Sequence, residues 1–489
     1  MDIQKATQFI TSLDLAPTNK WNIRHVFSST KDSYILIPLL ASVVLSVIFS
    51  AHPYLNIYDE RFHALVAKNL TYDWLKPSLY RIPHLDYDMS AWWSNHIWLS
   101  KPILPLWLTS LSIKLFGVHV YSLRVISIIA HCVSVAITYR IGRRFFSKEV
   151  GILAALLYGT NHMLLGVTGG HISSDLCEAL FLVSSYGAIY YALSHKLNIR
   201  VILIMALFLV ISFHCKYIAT LLPAVIVIAI IIVRSSRLLY GHISLLLALF
   251  LLGIAPWLMF LWSRYPEETE LLFSTWLNIS TDHNSPHVQP WHFYFKSFGY
   301  VYGFSSFMMI TVYYLHFITV RLSKSILTLG LWIFIPILLL SLSMVKRDTY
   351  LLICAPAVAI ILSEIYYSIM RWEPWSSLKS LKYVIHLVAL SSIIGPMMTT
   401  GTKLIGIQSL PVERLKSMEL AKVTNATDFD PSTTIVFKED YPIEFMFYHD
   451  LMAYHNDPSL AEYQAYRKRG FTLLYRDGIE LKILLPENL

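Results

Sequence analysis

The sequence predicts an α-helical, polytopic membrane protein with a small α/β domain at its C-terminal end. Hydrophobic residues make up 55% of the 489 residues and charged residues only 14%, and the mean hydropathy is +0.53. A water-soluble protein of this length needs far more charge to cover its surface. After residue 400 the composition becomes polar, which indicates a part of the chain outside the membrane.

Counting about 17–25 apolar residues as one crossing predicts about eleven spans. They lie near 34–51, 118–141, 149–167, 172–194, 199–215, 217–233, 242–263, 297–320, 326–344, 349–370 and 383–400. A shorter apolar segment, 102–117, contains Lys114. We expect this segment to be a re-entrant or interfacial helix, because only then do all the basic turns lie in the cytoplasm. Those turns are 140–148, 195–200, 234–237, 321–324 and 371–382.

The loop after the first span interrupts the apolar sequence with charge. It begins with the acidic pair Asp59-Glu60, and Phe62, Leu65 and Val66 follow at helical spacing. This pattern predicts a helix that lies flat on the membrane surface without crossing it. An acidic pair is also a common start of a helix, where it caps the backbone and favours the dipole.

Trp92, Trp93 and Trp98 shortly precede Lys101 later in the same loop. Tryptophan prefers the headgroup level of a bilayer, which places Lys101 near lipid phosphates. We therefore expect the acidic pair and Lys101 to face each other at one water–lipid boundary.

Further ionisable residues stand at the ends of spans on the same predicted outer side. They are Asp175, Lys216, Lys346 and Arg347. Charges in such places are costly unless they are paired or functional, and cations on the outer side run against the positive-inside trend. Each has an ordinary alternative, since lysines snorkel to the interface and Asp175 can form a capping box with Glu178.

The long loop 264–296 contains three histidines, His283, His287 and His292, which raise the hypothesis of a metal site. No HExxH or CxxC spacing accompanies them, so surface histidines are the simpler interpretation and the metal dependence stays open.

The C-terminal residues 401–489 predict a small α/β domain outside the membrane, following a transmembrane domain at 1–400. A strand is predicted at 433–437, helices at 443–451 and 460–466, and a hairpin at 471–475 and 479–485 that turns at Asp477-Gly478.

Several segments together resemble a known family. They are DERFHALVAKNL, WLSKPILPLWLTSLSIKLFG, SLRVISII, ITYRIGRRFF, GHISSDLCEALF, HCKYIATLLPAV and MVKRDTYLLICAPAVAIIL. This ordered set, between residues 59 and 362, resembles the bacterial branch of the protein mannosyltransferase-like, GT-C type glycosyltransferases, which includes the lipid A aminoarabinose transferase.

The resemblance implies an enzyme of the bacterial inner membrane that moves a sugar from a polyprenyl-phosphate donor to a lipid, glycan or protein acceptor on the periplasmic side. It implies that Asp59 and Glu60 lie at the catalytic centre. It also implies substrate binding by residues that match the family's later motifs, namely Lys101, Asp175, Lys216, Lys346, Arg347 and Tyr350. Membrane lipids are expected partners, and nucleic acid is not.

Three positions depart from the family pattern. Ile103 stands where a second proline is frequent, His63 where an aromatic residue is common, and Ser100 where the aminoarabinose transferases tend to have an acid. The last departure argues against assigning that particular sugar.

The residue types agree with the implied chemistry. Cations stabilise the phosphate as it leaves, and a carboxylate, for which Asp59 is the candidate, accepts a proton from a hydroxyl acceptor that attacks with inversion. A phosphate acceptor needs no base. Two other functions stay open: a lipid or sugar transporter or flippase, whose charges line a substrate path, and a protein O-glycosyltransferase.

Overall fold

The computed structural model describes residues 33–56, 59–85, 95–170, 176–234, 239–278, 285–320, 323–371, 379–406 and 412–488. Four residues that the sequence analysis singled out lie outside these ranges: Trp92, Trp93, Asp175 and His283.

The fold is mainly helical. The helices of the first half are α1 (Leu36–Ser50), α2 (Asp59–Asn69), α3 (Ile103–Phe116), α4 (Val120–Phe145), α5 (Lys148–Gly159), α6 (His162–Thr168), α7 (Leu176–Ser194), α8 (Ile199–Lys216) and α9 (Leu221–Arg234). The later helices are α10 (Leu239–Arg264), α11 (Pro266–Asn278), α12 (Phe293–Tyr302), α13 (Ser306–Val320), α14 (Lys324–Leu342), α15 (Ala355–Arg371), α16 (Lys379–Gly406), α17 (Val412–Leu420), α18 (Pro442–Tyr448) and α19 (Leu460–Lys468).

Within the described residues, 6 helical stretches are long and apolar enough to cross a membrane. They are Ser33–Ser50, Val120–Phe145, Ile199–Arg234, Tyr240–Arg264, Lys324–Leu342 and Asp348–Arg371. The helices α5 and α6, bent by 55° at their junction, make up to 7 if they form one span. The predicted count of about eleven is therefore not confirmed.

Two predicted spans illustrate the difference. The stretch Ile199–Arg234 unites the spans predicted at 199–215 and 217–233, which α8 and α9 occupy with a 3-10 turn at Tyr217–Thr220 between them. Conversely, the span predicted at 297–320 is divided into α12 and α13 at Gly303, whose φ is 99°. Backbone with positive φ ends a helix, and hydropathy alone does not reveal such a break.

The helix α2 does not lie on a surface but is enclosed by protein on two sides. Phe62, Leu65 and Val66 belong to the core of the C-terminal sheet, while Ala64 and Ala67 belong to a second cluster with the ends of α3 and α4. A helix that is apolar on opposite faces is buried between layers. The two alanines were not counted as a second apolar face, which explains the difference from the expected surface position.

The C-terminal region forms a four-stranded sheet with the order β2-β1-β3-β4. Its strands are β1 (Thr434–Phe437), β2 (Met452–Ala453), β3 (Thr472–Asp477) and β4 (Glu480–Ile483). β1 is parallel to β2 and β3, and β3 and β4 form the expected antiparallel hairpin. Because Asp477 pairs with Glu480, the two turn residues are Gly478 and Ile479, one position later than predicted.

The strand β1, the helices α18 and α19 and the hairpin agree with the sequence analysis, whereas β2 and α17 were not foreseen. The boundary expected between residues 400 and 401 lies within α16, and this division into domains stays a prediction.

Candidate active site

A cavity of about 830 Å³ lies among α2, α7, α8, α9, α11, α14 and the loops between them. Its walls are mainly aliphatic and aromatic and include Leu221, Leu222, Val225, Leu339 and Leu340. Its ionisable and hydrogen-bonding lining residues include Asp59, Lys101, Glu178, Lys216, Glu268, His287, Arg347 and Tyr350. A concave site with apolar walls and a few polar groups is the usual form of a small-molecule or lipid site.

Asp59 and Lys101 meet at this cavity. The Lys101 Nζ lies 3.1 Å from the Asp59 Oδ2, and both side chains are 22% exposed. Asp59 is the first residue of α2, and Lys101 precedes Pro102, the extended N-cap of α3. The residue before a proline disfavours the helical conformation, so Lys101 lies outside α3. Its side chain extends across the loop to Asp59 in α2.

Glu60, in contrast, is fully buried and is not among the residues that line the cavity. Its carboxylate accepts hydrogen bonds from the Arg124 Nε and Nη2 at 2.9 and 3.1 Å. The Asn56 backbone and side-chain nitrogens donate to it at 2.8 and 2.6 Å. Gly170, with a φ of 75°, packs directly against this carboxylate. A side chain at this position does not fit, because a Cβ there would lie 2.8 Å from the Glu60 Oε1.

Arg124 joins the end of α1 to the beginning of α2. Besides Glu60, its guanidinium donates to the carbonyl oxygens of Ser50, His52 and Tyr54 at 2.9, 2.8 and 3.0 Å. Arg124 was not foreseen, although it is a lone arginine near the start of an apolar helix, and such a residue seldom remains there without a buried anionic partner.

Lys216 reaches the cavity from the end of α8. The following residue, Tyr217, has a φ of 41°, which is uncommon for a residue with a side chain and marks the end of that helix. The Lys216 ammonium forms an ion pair with Glu178 and lies 5.6 Å from the ring centroids of Phe181 and Tyr350. Glu178 was considered only as a capping residue for Asp175, which itself lies outside the described residues.

Arg347 and Tyr350 also line the cavity, whereas Lys346 does not. The Arg347 Nη2 lies 2.6 Å from the His287 Nε2. Burial, with a further contribution from Arg347, lowers the pKa of His287, so the imidazole is neutral and its Nε2 accepts the hydrogen bond. Lys346 instead donates to the Gln289 carbonyl at 2.9 Å and fixes the loop that carries His287.

The cavity residues are linked into one group through their contacts. The Tyr217 hydroxyl lies 3.5 Å from the Lys101 carbonyl oxygen, which connects the Asp59–Lys101 pair to the Lys216–Glu178 pair. Tyr350 connects Lys216 to the Arg347 segment. The structure therefore brings together five of the predicted site residues: Asp59, Lys101, Lys216, Arg347 and Tyr350.

Residues 100–260 match the family model described as dolichyl-phosphate-mannose-protein mannosyltransferase. The matched segment includes Lys101, Glu178 and Lys216, while Asp59, Arg347 and Tyr350 lie on either side of it.

The sequence is similar to proteins named undecaprenyl phosphate-α-4-amino-4-deoxy-L-arabinose arabinosyl transferases. One from Pseudomonas fluorescens is 24% identical over 319 residues, covering 62% of this chain and 57% of the relative. Another from Pseudomonas aeruginosa is 24% identical over 290 residues, covering 56% and 51%. The chain thus spans a little over half the length of these relatives.

Solved structures of GT-C enzymes have the same fold. ArnT from Cupriavidus metallidurans bound to undecaprenyl phosphate superposes with a TM-score of 0.67 at 14% identity, covering 90% of this chain and 93% of ArnT. The oligosaccharyltransferase AglB from Archaeoglobus fulgidus, in complex with an inhibitory peptide and a dolichol-phosphate, has a TM-score of 0.51 at 13% identity, covering 92% and 70%. Together with the apolar helical stretches, these matches make the chain a multi-pass membrane protein of the GT-C fold.

A metal site is not evident in the described part of this chain. No group of three or more His, Cys, Asp and Glu side chains within those ranges is placed to hold an ion. His287 faces Arg347, His292 lies against Trp291, and His283 is outside the described residues.

Proposed function

We propose that this protein is an integral membrane glycosyltransferase that moves a sugar from a polyprenyl-phosphate donor to an acceptor at the outer face of the bacterial inner membrane. The observation that carries the proposal is the cavity itself, in which Lys101, Lys216 and Arg347 stand beside aliphatic walls. A polyprenyl phosphate combines an anionic headgroup with an isoprenoid chain, and this lining complements both.

The three cations bind the phosphate and stabilise the negative charge that it gains as the sugar departs. Two of them form ion pairs with carboxylates in the structure, Lys101 with Asp59 and Lys216 with Glu178. Donor binding exchanges these carboxylate contacts for phosphate contacts. Tyr350 lies beside Lys216 and restricts how that ammonium is oriented.

Asp59 is the catalytic carboxylate in this proposal. Once the phosphate holds Lys101, Asp59 accepts the proton of a hydroxyl acceptor while the oxygen attacks the anomeric carbon opposite the departing phosphate. The sugar–phosphate bond breaks as the sugar–oxygen bond forms, and the configuration inverts. With a phosphate acceptor no proton is removed, and Asp59 positions the acceptor instead.

Glu60 and Lys346 support the site without touching substrate. Glu60 holds the beginning of α2 through Arg124, and Lys346 holds the His287 loop. Asp175 stays a candidate for binding the sugar or the acceptor, because it directly precedes α7, the helix that carries Glu178.

The relatives support the donor class. The names of the Pseudomonas relatives specify undecaprenyl phosphate and an arabinosyl group, and ArnT was crystallised with undecaprenyl phosphate. The outer location of the cavity in this proposal is supported by the predicted basic turns, which we expect on the cytoplasmic side.

The test is donor binding and transfer by the full chain in lipid nanodiscs. We expect undecaprenyl phosphate to bind and a labelled undecaprenyl-phosphate sugar to be consumed when lipid acceptors are supplied. Lys101→Ala is expected to weaken donor binding at least about tenfold, as for the loss of a charge-assisted contact, whereas the matched control Lys114→Ala on the exposed side of α3 leaves it unchanged. Equal donor binding by both variants would refute the site.

A further inference from the structure

The C-terminal region packs against α2, the helix that begins with Asp59. Lys68, in the last turn of α2, is only 6% exposed along its side chain. Its Nζ donates to the carbonyl oxygens of Met446, Phe447 and His449 at 2.8, 3.0 and 3.1 Å. These carbonyls belong to the end of α18 and have no acceptor role within that helix, so Lys68 caps α18 from another part of the chain.

The carboxylate of Asp450 adds a fourth partner, with its Oδ1 3.1 Å from the Lys68 Nζ. Burial lowers the pKa of Lys68, and Asp450 opposes that effect. Three carbonyl oxygens within 3.1 Å need three N–H donors, which only the ammonium form supplies. Lys68 is therefore a charged ammonium group whose hydrogen bonds go to protein oxygen atoms instead of water.

A second contact fixes the other end of the same helix. The Arg61 Nη1 lies 3.1 Å from the Glu444 Oε1 in the first turn of α18. Between the two polar contacts, Phe62 and Leu65 pack into the core of the C-terminal sheet. The helices α2 and α18 thus lie side by side, with polar contacts at both ends and an apolar contact between them.

This contact region is separate from the cavity. The described residues that line the cavity lie between Asp59 and Ile353, and the C-terminal sheet and helices contribute none of them. Lys68 is nine residues after Asp59, which is about 13 Å along the helix. Any effect of the C-terminal region on the cavity must therefore pass through the position of α2.

We infer that Lys68 is a positioning residue through which the C-terminal α/β region holds α2, and with it Asp59, against Lys101. The inference deepens the proposed function and rests on it, because it assumes that Asp59 takes part in transfer. A shift of about 1 Å in a reacting group is enough to lower turnover about a hundredfold.

The experiment compares Lys68→Met, which removes the charge, with Lys68→Arg, which keeps it. Lys422→Met, an exposed lysine of the same C-terminal region, is the matched control. For each full-length protein in nanodiscs, three quantities are measured: hydrogen–deuterium exchange in residues 59–69, affinity for undecaprenyl phosphate, and kcat for sugar transfer.

The inference predicts that Lys68→Met exchanges faster in residues 59–69 and loses at least about tenfold in kcat. Donor affinity is expected to stay within about twofold, because Lys101, Lys216 and Arg347 are on other elements. Lys68→Arg restores most of the lost kcat, and Lys422→Met resembles the wild type. A purely structural role would lower the amount of folded protein without this separation of kcat from donor affinity.

Two results would overturn the inference. One is a kcat for Lys68→Met within about twofold of the wild type, and the other is a parallel loss of kcat and donor affinity. If Lys68→Met does not fold, Asp450→Asn decides, since it removes only the half-exposed charge partner: a lowered kcat at unchanged donor affinity supports the inference, and an unchanged kcat overturns it.

Failure of the proposed function gives a different result. A wild-type protein that neither binds undecaprenyl phosphate nor transfers sugar refutes that function. The contact between Lys68 and the C-terminal region is then tested by hydrogen–deuterium exchange alone. Identical exchange in residues 59–69 of Lys68→Met and the wild type refutes its role in holding α2.

Discussion

Two acid–cation pairs at the beginning of α2 each join a carboxylate to a cation, but their surroundings are opposite. The Asp59–Lys101 pair lines the cavity, and its side chains are 22% exposed. The Glu60–Arg124 pair, one residue further along, has side chains that are 0% exposed. Adjacent carboxylates thus differ in whether a substrate reaches them.

The difference lies in how many partners the protein supplies. Arg124 donates to Glu60 and to three backbone carbonyls, and Glu60 also accepts from Asn56, so this pair is saturated by protein groups. Asp59 and Lys101 border an open cavity, where a ligand has access to both. The saturated pair fixes the backbone, and the accessible pair is available for chemistry.

The largest expected effect comes from Asp59→Asn, which removes the proposed base and keeps its shape. We expect kcat for transfer to a hydroxyl acceptor to fall about 10²–10⁴-fold, the usual contribution of a general base. Thermal unfolding should stay close to the wild type, and undecaprenyl phosphate binding should tighten by no more than about two- to fivefold, because Asp59 pairs with Lys101 as Glu178 pairs with Lys216. Asp428→Asn, at an exposed position, is the control, and an active Asp59→Asn variant would remove Asp59 from the mechanism.

The same substitution one residue later should act on stability instead. Glu60→Gln leaves the Arg124 guanidinium buried without its anion, which costs about 3–5 kcal/mol. Chemical or thermal unfolding of the protein in detergent measures this loss. Glu487→Gln, on the exposed C-terminal end, should change stability by less than about 0.5 kcal/mol. A fully stable but inactive Glu60→Gln protein would contradict the structural role and restore Glu60 as a catalytic residue.

Arg347→Met is expected to affect donor binding by an intermediate amount. Loss of one charge-assisted contact to phosphate corresponds to about tenfold weaker binding of undecaprenyl phosphate. The neighbouring Lys346→Met should leave donor affinity within about threefold, because Lys346 holds a loop and does not line the cavity. Equal losses of undecaprenyl phosphate affinity in the two variants would contradict the distinction between Arg347, which lines the cavity, and Lys346, which does not.

The smallest effect is expected for Glu178→Gln, and it is a gain in donor affinity. The Glu178 carboxylate forms an ion pair with Lys216, so its removal should tighten undecaprenyl phosphate binding about two- to fivefold at low ionic strength. At high salt the change should be smaller. A titration of the labelled lipid at two salt concentrations measures it. Weaker binding would mean that Glu178 orients Lys216 and does not compete with the phosphate.

The sequence identified the accessible pair more readily than the buried one. Asp59, Lys101, Lys216, Arg347 and Tyr350 stand at the ends of apolar runs, where ionisable residues are easily recognised in the sequence. Their convergence on one cavity was expected from the predicted topology, and the structure places them there.

The remaining features depend on contacts between distant segments. Arg124 looked like an ordinary residue of an apolar helix, and Lys68 like a charge on a surface helix, because neither partner set is visible in local sequence. Lys68 meets carbonyls nearly 380 residues away. The backbone break at Gly303 likewise divides a predicted span, since hydropathy averages over single residues with positive φ.

The most direct measurement is a cryo-EM structure of the full chain in nanodiscs with bound undecaprenyl phosphate. The account predicts that the phosphate lies within about 4 Å of cationic nitrogens of Lys101, Lys216 or Arg347, with the isoprenoid chain along Leu221 and Val225 and the Asp59 carboxylate no longer paired with Lys101. A phosphate bound elsewhere, with the Asp59–Lys101 and Glu178–Lys216 pairs intact, would contradict it.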